Sequence, residues 1–146
     1  MTIPPELVQM LRALLSGQFD AVATHVGQAE GGVRLWDAVT GLLNAAFWLA
    51  VDRRFDPDAD QEITEYVTTV CREHPEAEPR VAEALIKAAL GEEQLVAALD
   101  PEATLPVQMV LLHRLIADRK LTDDQLEEFL SETVRLAEHN LSQRRI

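Results

Sequence analysis

Residues 33–54 read VRLWDAVTGLLNAAFWLAVDRR, and they form the longest apolar helix candidate in this sequence. Apolar residues recur along one face at helical spacing, and others lie around much of the remaining circumference. A helix that is apolar nearly all round is usually buried on several sides. We therefore predict a central helix with both tryptophans in or near the core. Its inward face comprises Leu35, Trp36, Val39, Leu42, Leu43, Phe47, Ala50 and Val51, with Ala38, Ala45, Trp48 and Leu49 beside it.

A second stretch of the same kind covers residues 105–119, where the polar interruptions are chiefly Gln108, His113 and Arg114. It predicts a second central helix, with residues 107–116 in the core. No stretch of the chain reaches the roughly 18 uninterrupted apolar residues of a membrane span. Both central segments are therefore predicted to be core helices.

The rest of the chain predicts shorter amphipathic helices, and no run of strict alternation indicates a strand. The clearest start signal is Thr122 followed by Gln125, a capping box. The other helices are expected from Pro5 to just before Ser16, and over residues 19–26, 63–74, 79–90 and 92–99. The fold class is therefore all-α, a single compact bundle of seven to eight helices around two central apolar ones. We expect one domain over 1–146, with an ordered core at about 4–141.

A weak internal repeat follows the two central helices, as DQEIT at 60–64 and DRKLT at 118–122. We favour a recurrent way of starting the next helix, because such signals are common. The alternative is an ancestral duplication, which would give the core a pseudo-two-fold axis.

The composition is that of a soluble domain, with 146 residues, 47% hydrophobic and 26% charged. The single cysteine, Cys71, cannot form an internal disulfide. The first residues, MTIPPELVQM, lack the basic start and apolar run of a secretory signal. We therefore expect a cytoplasmic protein.

Acidic residues dominate the charge, which is −12 overall. Thirteen of them lie between Asp56 and Glu102, against three basic residues. Such a surface repels phosphates, which argues against nucleic acid and anionic membranes as ligands. These acidic residues either serve only to keep the domain soluble or form a surface that binds a basic protein partner. In the second case we expect the interaction surface at Glu76, Glu78, Glu92 and Glu93, in predicted turns.

The stretch FDPDADQEIT, residues 55–64, resembles the start of an EF-hand calcium loop. Asp56, Asp58 and Asp60 occupy its first, third and fifth positions. However, Gln61 replaces the turn glycine, and Val67 stands where the closing acid belongs. This is a weak candidate metal loop, and we predict no metal. The favoured interpretation is an acidic turn whose aspartates cap the following helix.

No residue pattern indicates catalysis or a cofactor. His25, His74, His113 and His139 are never three or four residues apart, which argues against zinc. Burial explains Cys71 better than nucleophilic activity does. Neither a phosphate-binding glycine loop nor a nucleophile elbow is present in the sequence. We therefore predict no catalytic residue and no cofactor.

The function favoured by these observations is a non-catalytic protein-interaction or regulatory module with an acidic surface. Its partner is a protein, expected to be basic, with a homodimer as an open alternative. The second hypothesis is a small-molecule or divalent-metal-binding domain, using a cavity between the central helices or the 56–60 loop. An enzyme ranks third, because helical bundles can assemble sites from scattered residues.

Overall fold

Helices make up all the regular secondary structure in the described part of the chain. The computed structural model describes residues 3, 5–17, 33–56, 58–91 and 101–143. Within these ranges there are six helices and no strands, which confirms the all-helical prediction. The helices are α1 (Pro5–Leu15), α2 (Val33–Arg54), α3 (Asp60–Glu73), α4 (Pro79–Ala89), α5 (Pro101–Arg119) and α6 (Asp123–Gln143).

Two predicted helices, at 19–26 and 92–99, lie outside the described residues. The predicted total of seven to eight helices and the internal duplication are therefore not confirmed. None of the six helices in the described ranges combines the length and the apolar character that crossing a bilayer requires.

Local sequence signals set several helix ends. Thr122 and Gln125 form the predicted capping box before α6. The Gln125 backbone N–H donates to Thr122 Oγ1 at 3.2 Å, and the Thr122 N–H donates to Gln125 Oε1 at 2.9 Å. Gly17 and Gly91 follow α1 and α4 with φ of 96° and 124°, which favour glycine. These ends agree with the predicted ones to within a residue.

Two helices begin earlier than predicted. α3 starts at Asp60, and its N-cap is Ala59, which makes no side-chain capping bond. The prediction that aspartates cap this helix is therefore wrong, because Ala59, which lies between Asp58 and Asp60, occupies the N-cap position. α5 starts at Pro101 and contains Pro106. Pro106 is the sixth residue of α5, so it lacks the N–H for one intrahelical hydrogen bond, and the helix nevertheless continues to Arg119.

Chain contacts divide the protein into two compact units. Unit 1 comprises residues 1–46 and 119–146, and unit 2 comprises residues 47–118. The division falls within α2, after Ala46, and near the end of α5, after Asp118. The prediction of one domain over 1–146 stays a prediction.

Unit 1 contains α1, the first part of α2 and α6, with α1 packed against α6. Arg12 Nη2 bridges to Glu127 Oε1 at 2.7 Å, and the Ile3 backbone N–H donates to Glu138 Oε2 at 3.0 Å. The buried side chains include Leu7, Met10, Leu11, Leu14, Val39, Leu42, Leu43, Phe129, Leu130 and Ala137.

Unit 2 contains the end of α2, then α3, α4 and α5, with α3 packed against α4. Its buried side chains include Phe47, Val51, Phe55, Ile63, Val67, Val70, Val81, Leu85, Ile86, Leu111, Leu112 and Leu115. The predicted core segments of α2 and α5 are therefore buried in the described part.

Trp48 is a correction to the predicted core, since 43% of it is exposed to solvent. Asn44 and Asp52, four residues away on either side, are also exposed. Residues four apart share a helix face, so Trp48 lies on the polar stripe of α2. The side chain of Trp36 lies outside the described residues.

Candidate functional site

One pocket of unit 2 is an open depression of about 610 Å³. Spacing on the helices explains how its lining comes together. Five lining residues of α3 stand at positions i, i+3, i+4, i+7 and i+8, which is one helix face. Arg114 and Asp118 are four apart on α5, and Arg54 is the last residue of α2. The lining consists of Arg54, Glu62, Glu65, Tyr66, Thr69, Val70, Arg114 and Asp118.

Arg54 is held at the edge of this pocket by a carboxylate and two rings. Its Nη1 atom lies 2.6 Å from Glu62 Oε1. The guanidinium carbon is 4.7 Å from the centre of the Phe55 ring and 5.6 Å from that of Tyr66. The two rings pack edge to face, with centres 5.4 Å apart. The Arg54 charge is therefore already matched by the chain itself.

Arg114 is likewise engaged by two acidic residues. Its Nη1 donates to Glu73 Oε2, and its Nε lies 3.3 Å from Asp118 Oδ1. The hydrogen bond to Glu73 is the main cause of the raised pKa of Arg114, and burial acts against it. Neither arginine of the pocket therefore offers an uncompensated positive charge.

Tyr66 lines the pocket, but its hydroxyl oxygen is enclosed by the protein. Burial is the main reason why the pKa of Tyr66 lies well above its ordinary value, and the Asp118 charge raises it further. The charges of Arg114 and Arg54 act in the opposite direction. The contact with Asp118 is weak, and the enclosed hydroxyl makes no hydrogen bond of ordinary geometry with any described residue.

Glu65 is the carboxylate of the pocket that no described cation neutralises. Its Oε1 accepts a hydrogen bond from Gln61 Nε2 at 3.3 Å. The Thr69 hydroxyl donates to the Glu65 backbone carbonyl at 3.0 Å, which leaves the Thr69 oxygen able to accept. Three carboxylates against two arginines give the lining an excess negative charge. The pocket therefore favours a cation over an anion.

The predicted interaction surface is described in part. Glu76 and Glu78 are exposed, and Glu76 Oε1 lies 3.3 Å from His74 Nδ1. Glu92 and Glu93 lie outside the described residues. The structure therefore places two of the four predicted side chains at the surface and does not describe the other two.

The weak metal loop presents three exposed aspartates, Asp56, Asp58 and Asp60. Across the described ranges, no group of three or more histidine, cysteine or acidic side chains is arranged to hold a metal ion. Cys71, on α3, is half-buried, and burial raises the pKa of its thiol. At neutral pH that thiol is protonated, which makes it a poor nucleophile.

A smaller depression of about 310 Å³ lies in unit 1 and is lined by Val8 on α1 and by Glu127, Leu130, Ser131, Val134 and Arg135 on α6. Apolar and polar side chains are mixed in this lining, and no group in it indicates a particular ligand.

Sequence reasoning missed the pocket of unit 2. The spacing of Glu62, Glu65, Tyr66 and Thr69 was a usable signal, because it places a tyrosine among polar residues on one face of α3. No such signal indicated that Arg114 and Asp118 line the pocket, because their position there depends on how α3 and α5 pack. No family model, curated protein or solved structure matches this chain, so the site itself has to carry the functional argument.

Proposed function

We propose that this protein is a non-catalytic binding module whose acidic face binds a basic segment of a partner protein. The acidic face is the set of exposed carboxylates between Asp56 and Glu78. One observation carries the proposal: five of these eight carboxylates form no ion pair within the described part of the chain. They are Asp56, Asp58, Asp60, Glu65 and Glu78.

Unpaired carboxylates along this stretch make its local potential negative, which attracts a cationic segment. The stretch contains a single arginine, Arg72, and within it the described ion pairs from Arg54 and Arg114 reach only Glu62 and Glu73. A homodimer through this face is disfavoured, because it would bring like charges together. Nucleic acid is disfavoured for the same reason.

Fluorescence anisotropy with the full chain and a labelled, capped peptide of alternating lysine and serine tests the proposal. We expect saturable binding that weakens steeply from about 50 mM to about 500 mM NaCl, because salt screens exposed charges. The matched peptide of alternating glutamate and serine should not bind. Equal binding of both peptides, or binding of neither, would overturn the proposal.

A pair of matched variants separates the acidic face from net charge alone. Asp56→Asn, Asp58→Asn and Glu78→Gln together should weaken binding about tenfold, because exposed charge pairs contribute roughly 0.2–1 kcal/mol each. The control combines Asp123→Asn, Asp124→Asn and Glu128→Gln, exposed residues of unit 1, and changes the net charge equally. The control should lose about twofold at most. Equal losses in both would mean that only the net charge matters.

A further inference from the structure

Trp48 is the one large apolar side chain that is exposed in the described part of the chain, at 43% of its surface. No ring or cation among the described residues stacks on its indole. Tryptophan is enriched at protein interfaces and among the residues that contribute most to binding. A single exposed apolar residue is nevertheless common on soluble proteins. The surroundings of Trp48 therefore decide whether it belongs to a binding site.

Asp52 gives Trp48 a charged neighbour on the same face of α2. Both residues are exposed and lie in unit 2, and at four positions apart their Cβ atoms are about 5–6 Å from each other. Asp52 forms no ion pair with any described residue. The next residue, Arg53, projects about 100° round the helix from Asp52 and has an interaction of its own. An open indole and an unpaired carboxylate are therefore neighbours on this surface.

The acidic face begins close to Asp52. α2 ends one residue before Phe55, whose backbone N–H still donates to the Val51 carbonyl at 2.9 Å. The chain therefore follows a helical path up to Phe55, and Asp56 comes about one turn after Asp52. A basic segment bound to the acidic face needs to extend by only that turn to reach Asp52 and Trp48.

An arginine side chain matches both of these neighbours at once. Its planar guanidinium stacks on an aromatic face, and its N–H groups, which lie in the same plane, donate to a carboxylate beside the ring. The ammonium of lysine is a compact, strongly hydrated charge with no plane to stack. An indole next to a carboxylate therefore favours arginine over lysine.

We propose that Trp48 and Asp52 bind one arginine of the basic partner segment, with the guanidinium stacked on the indole and hydrogen-bonded to the carboxylate. This inference rests on the proposed function, which supplies the segment, and adds that the segment contains an arginine. Both residues lie outside the stretch from Asp56 to Glu78 that defines the acidic face. The arginine site can therefore be tested separately from that face.

Tryptophan provides a direct reporter, because the chain contains only two, Trp36 and Trp48. In full-length protein labelled with 5-fluorotryptophan, the Trp48→Phe variant identifies the fluorine-19 signal of Trp48. The probe is a capped peptide of alternating arginine and serine. We expect a saturable shift of the Trp48 signal with this peptide and none with alternating citrulline and serine, which has a similar shape but no charge. Binding of the arginine peptide without a shift at Trp48 would overturn the inference.

Comparison of arginine with lysine separates stacking on the indole from attraction by net charge. In fluorescence anisotropy, the unmodified chain should bind the arginine and serine peptide about threefold more tightly than the matched lysine and serine peptide. Trp48→Leu keeps an apolar side chain but removes the aromatic face, so this preference should disappear. Circular dichroism checks that the variant folds. A preference for arginine that persists in folded Trp48→Leu protein would overturn the assignment of Trp48.

Asp52→Asn tests the carboxylate, and Asp123→Asn is its matched control. Both aspartates are exposed and lack a described ion pair, and Asp123 lies at the start of α6 in unit 1. Asp52→Asn should weaken binding of the arginine peptide about threefold, and Asp123→Asn should weaken it less than about twofold. Equal losses in the two folded variants would remove Asp52 from the site and overturn the inference.

Failure of this inference can be distinguished from failure of the proposed function. If the basic peptides bind while the Trp48 signal does not respond, the acidic face stands and the arginine site is wrong. If neither basic peptide binds, the proposed function is wrong. Capped arginine and capped citrulline, compared at equal ionic strength, then decide the site through the Trp48 signal. A shift specific to capped arginine would support a site for a guanidinium group, and no specific shift would overturn the site as well.

Discussion

The guanidinium of Arg54 lies 4.7 Å from the centre of the Phe55 ring, at the end of α2. The same group is bound to Glu62 and lies near the Tyr66 ring, so one arginine joins the end of α2 to α3. Phe55 is buried beneath it. Arg54 therefore packs over the rings of Phe55 and Tyr66 in addition to forming an ion pair with Glu62.

Replacing Arg54 by alanine should destabilise the protein by about 1 kcal/mol, because it removes a partly exposed cation–π contact and an ion pair. Arg54→Lys should lose less, since it keeps the charge but not the planar group. Arg72→Ala is the control, because Arg72 is exposed on α3 and makes no described contact of this kind. Urea denaturation measures all three. A loss at Arg72 equal to that at Arg54 would contradict this account.

Tyr66 should make the protein less stable at high pH. The raised pKa of Tyr66 means that the unfolded chain ionises near pH 10 while the folded chain still holds the proton. The folded state then binds more protons, so the free energy of unfolding falls as pH rises above about 10. Tyrosinate absorbance should show no ionisation of folded protein at that pH.

Tyr66→Phe should remove this part of the pH dependence, which denaturation curves at about pH 8 and about pH 10.5 would show. At neutral pH the variant should be more stable by up to about 1 kcal/mol, because an enclosed hydroxyl with no good partner is removed. An unchanged pH dependence would mean that the hydroxyl is not protected by burial.

Replacing a large buried side chain by alanine should markedly lower the stability of the protein, whichever unit the side chain lies in. Leu43 in unit 1 and Leu111 in unit 2 are 1% and 0% exposed. Replacing either by alanine should lower the free energy of unfolding by about 2–5 kcal/mol. Leu49→Ala is the matched control on α2, since that side chain is only half-buried, and it should lose clearly less. Losses below about 1 kcal/mol at Leu43 and Leu111 would place the core elsewhere.

Most of the described helices could be predicted from local sequence, because their signals are local. Pro79 starts α4, glycines follow α1 and α4, and Thr122 with Gln125 starts α6. The start of α3 could not be predicted this way, because three closely spaced aspartates were equally good candidates for its N-cap. The exposure of Trp48 could have been predicted, since the polar residues Asn44 and Asp52 share its helix face. The prediction gave more weight to the high apolar content of the helix.

The candidate site could be predicted only in part. The polar stripe on α3 follows from helical spacing, so half of the pocket wall is readable from the sequence. The hydrogen bond from Arg114 to Glu73 joins residues 41 positions apart. No sequence pattern indicates that Arg114, on α5, lies next to Glu73, on α3. The net charge of the pocket lining depends on those ion pairs. Its preference for a cation could therefore be inferred only from the structure.

The 56–60 loop should not bind calcium. Its three aspartates are exposed, and calcium requires six to eight oxygens in a closed arrangement. Isothermal titration at about 1 mM calcium should show no saturable heat, because too few ligands converge to replace the ion's water. Saturable binding that disappears in Asp58→Asn would contradict this prediction.

Charge reversal on the acidic face should slow association with a basic peptide. Glu76 is exposed in the turn between α3 and α4, where a substitution removes no core packing. Glu76→Lys should lower the association rate constant for the lysine and serine peptide severalfold at low salt, because steering acts over about a Debye length. Glu128→Lys, an exposed position on α6, changes the net charge equally and should slow association less. Stopped-flow fluorescence measures both rates, and thermal unfolding should differ little between the variants. Equal slowing would assign the attraction to net charge and would remove the acidic face as a specific binding surface.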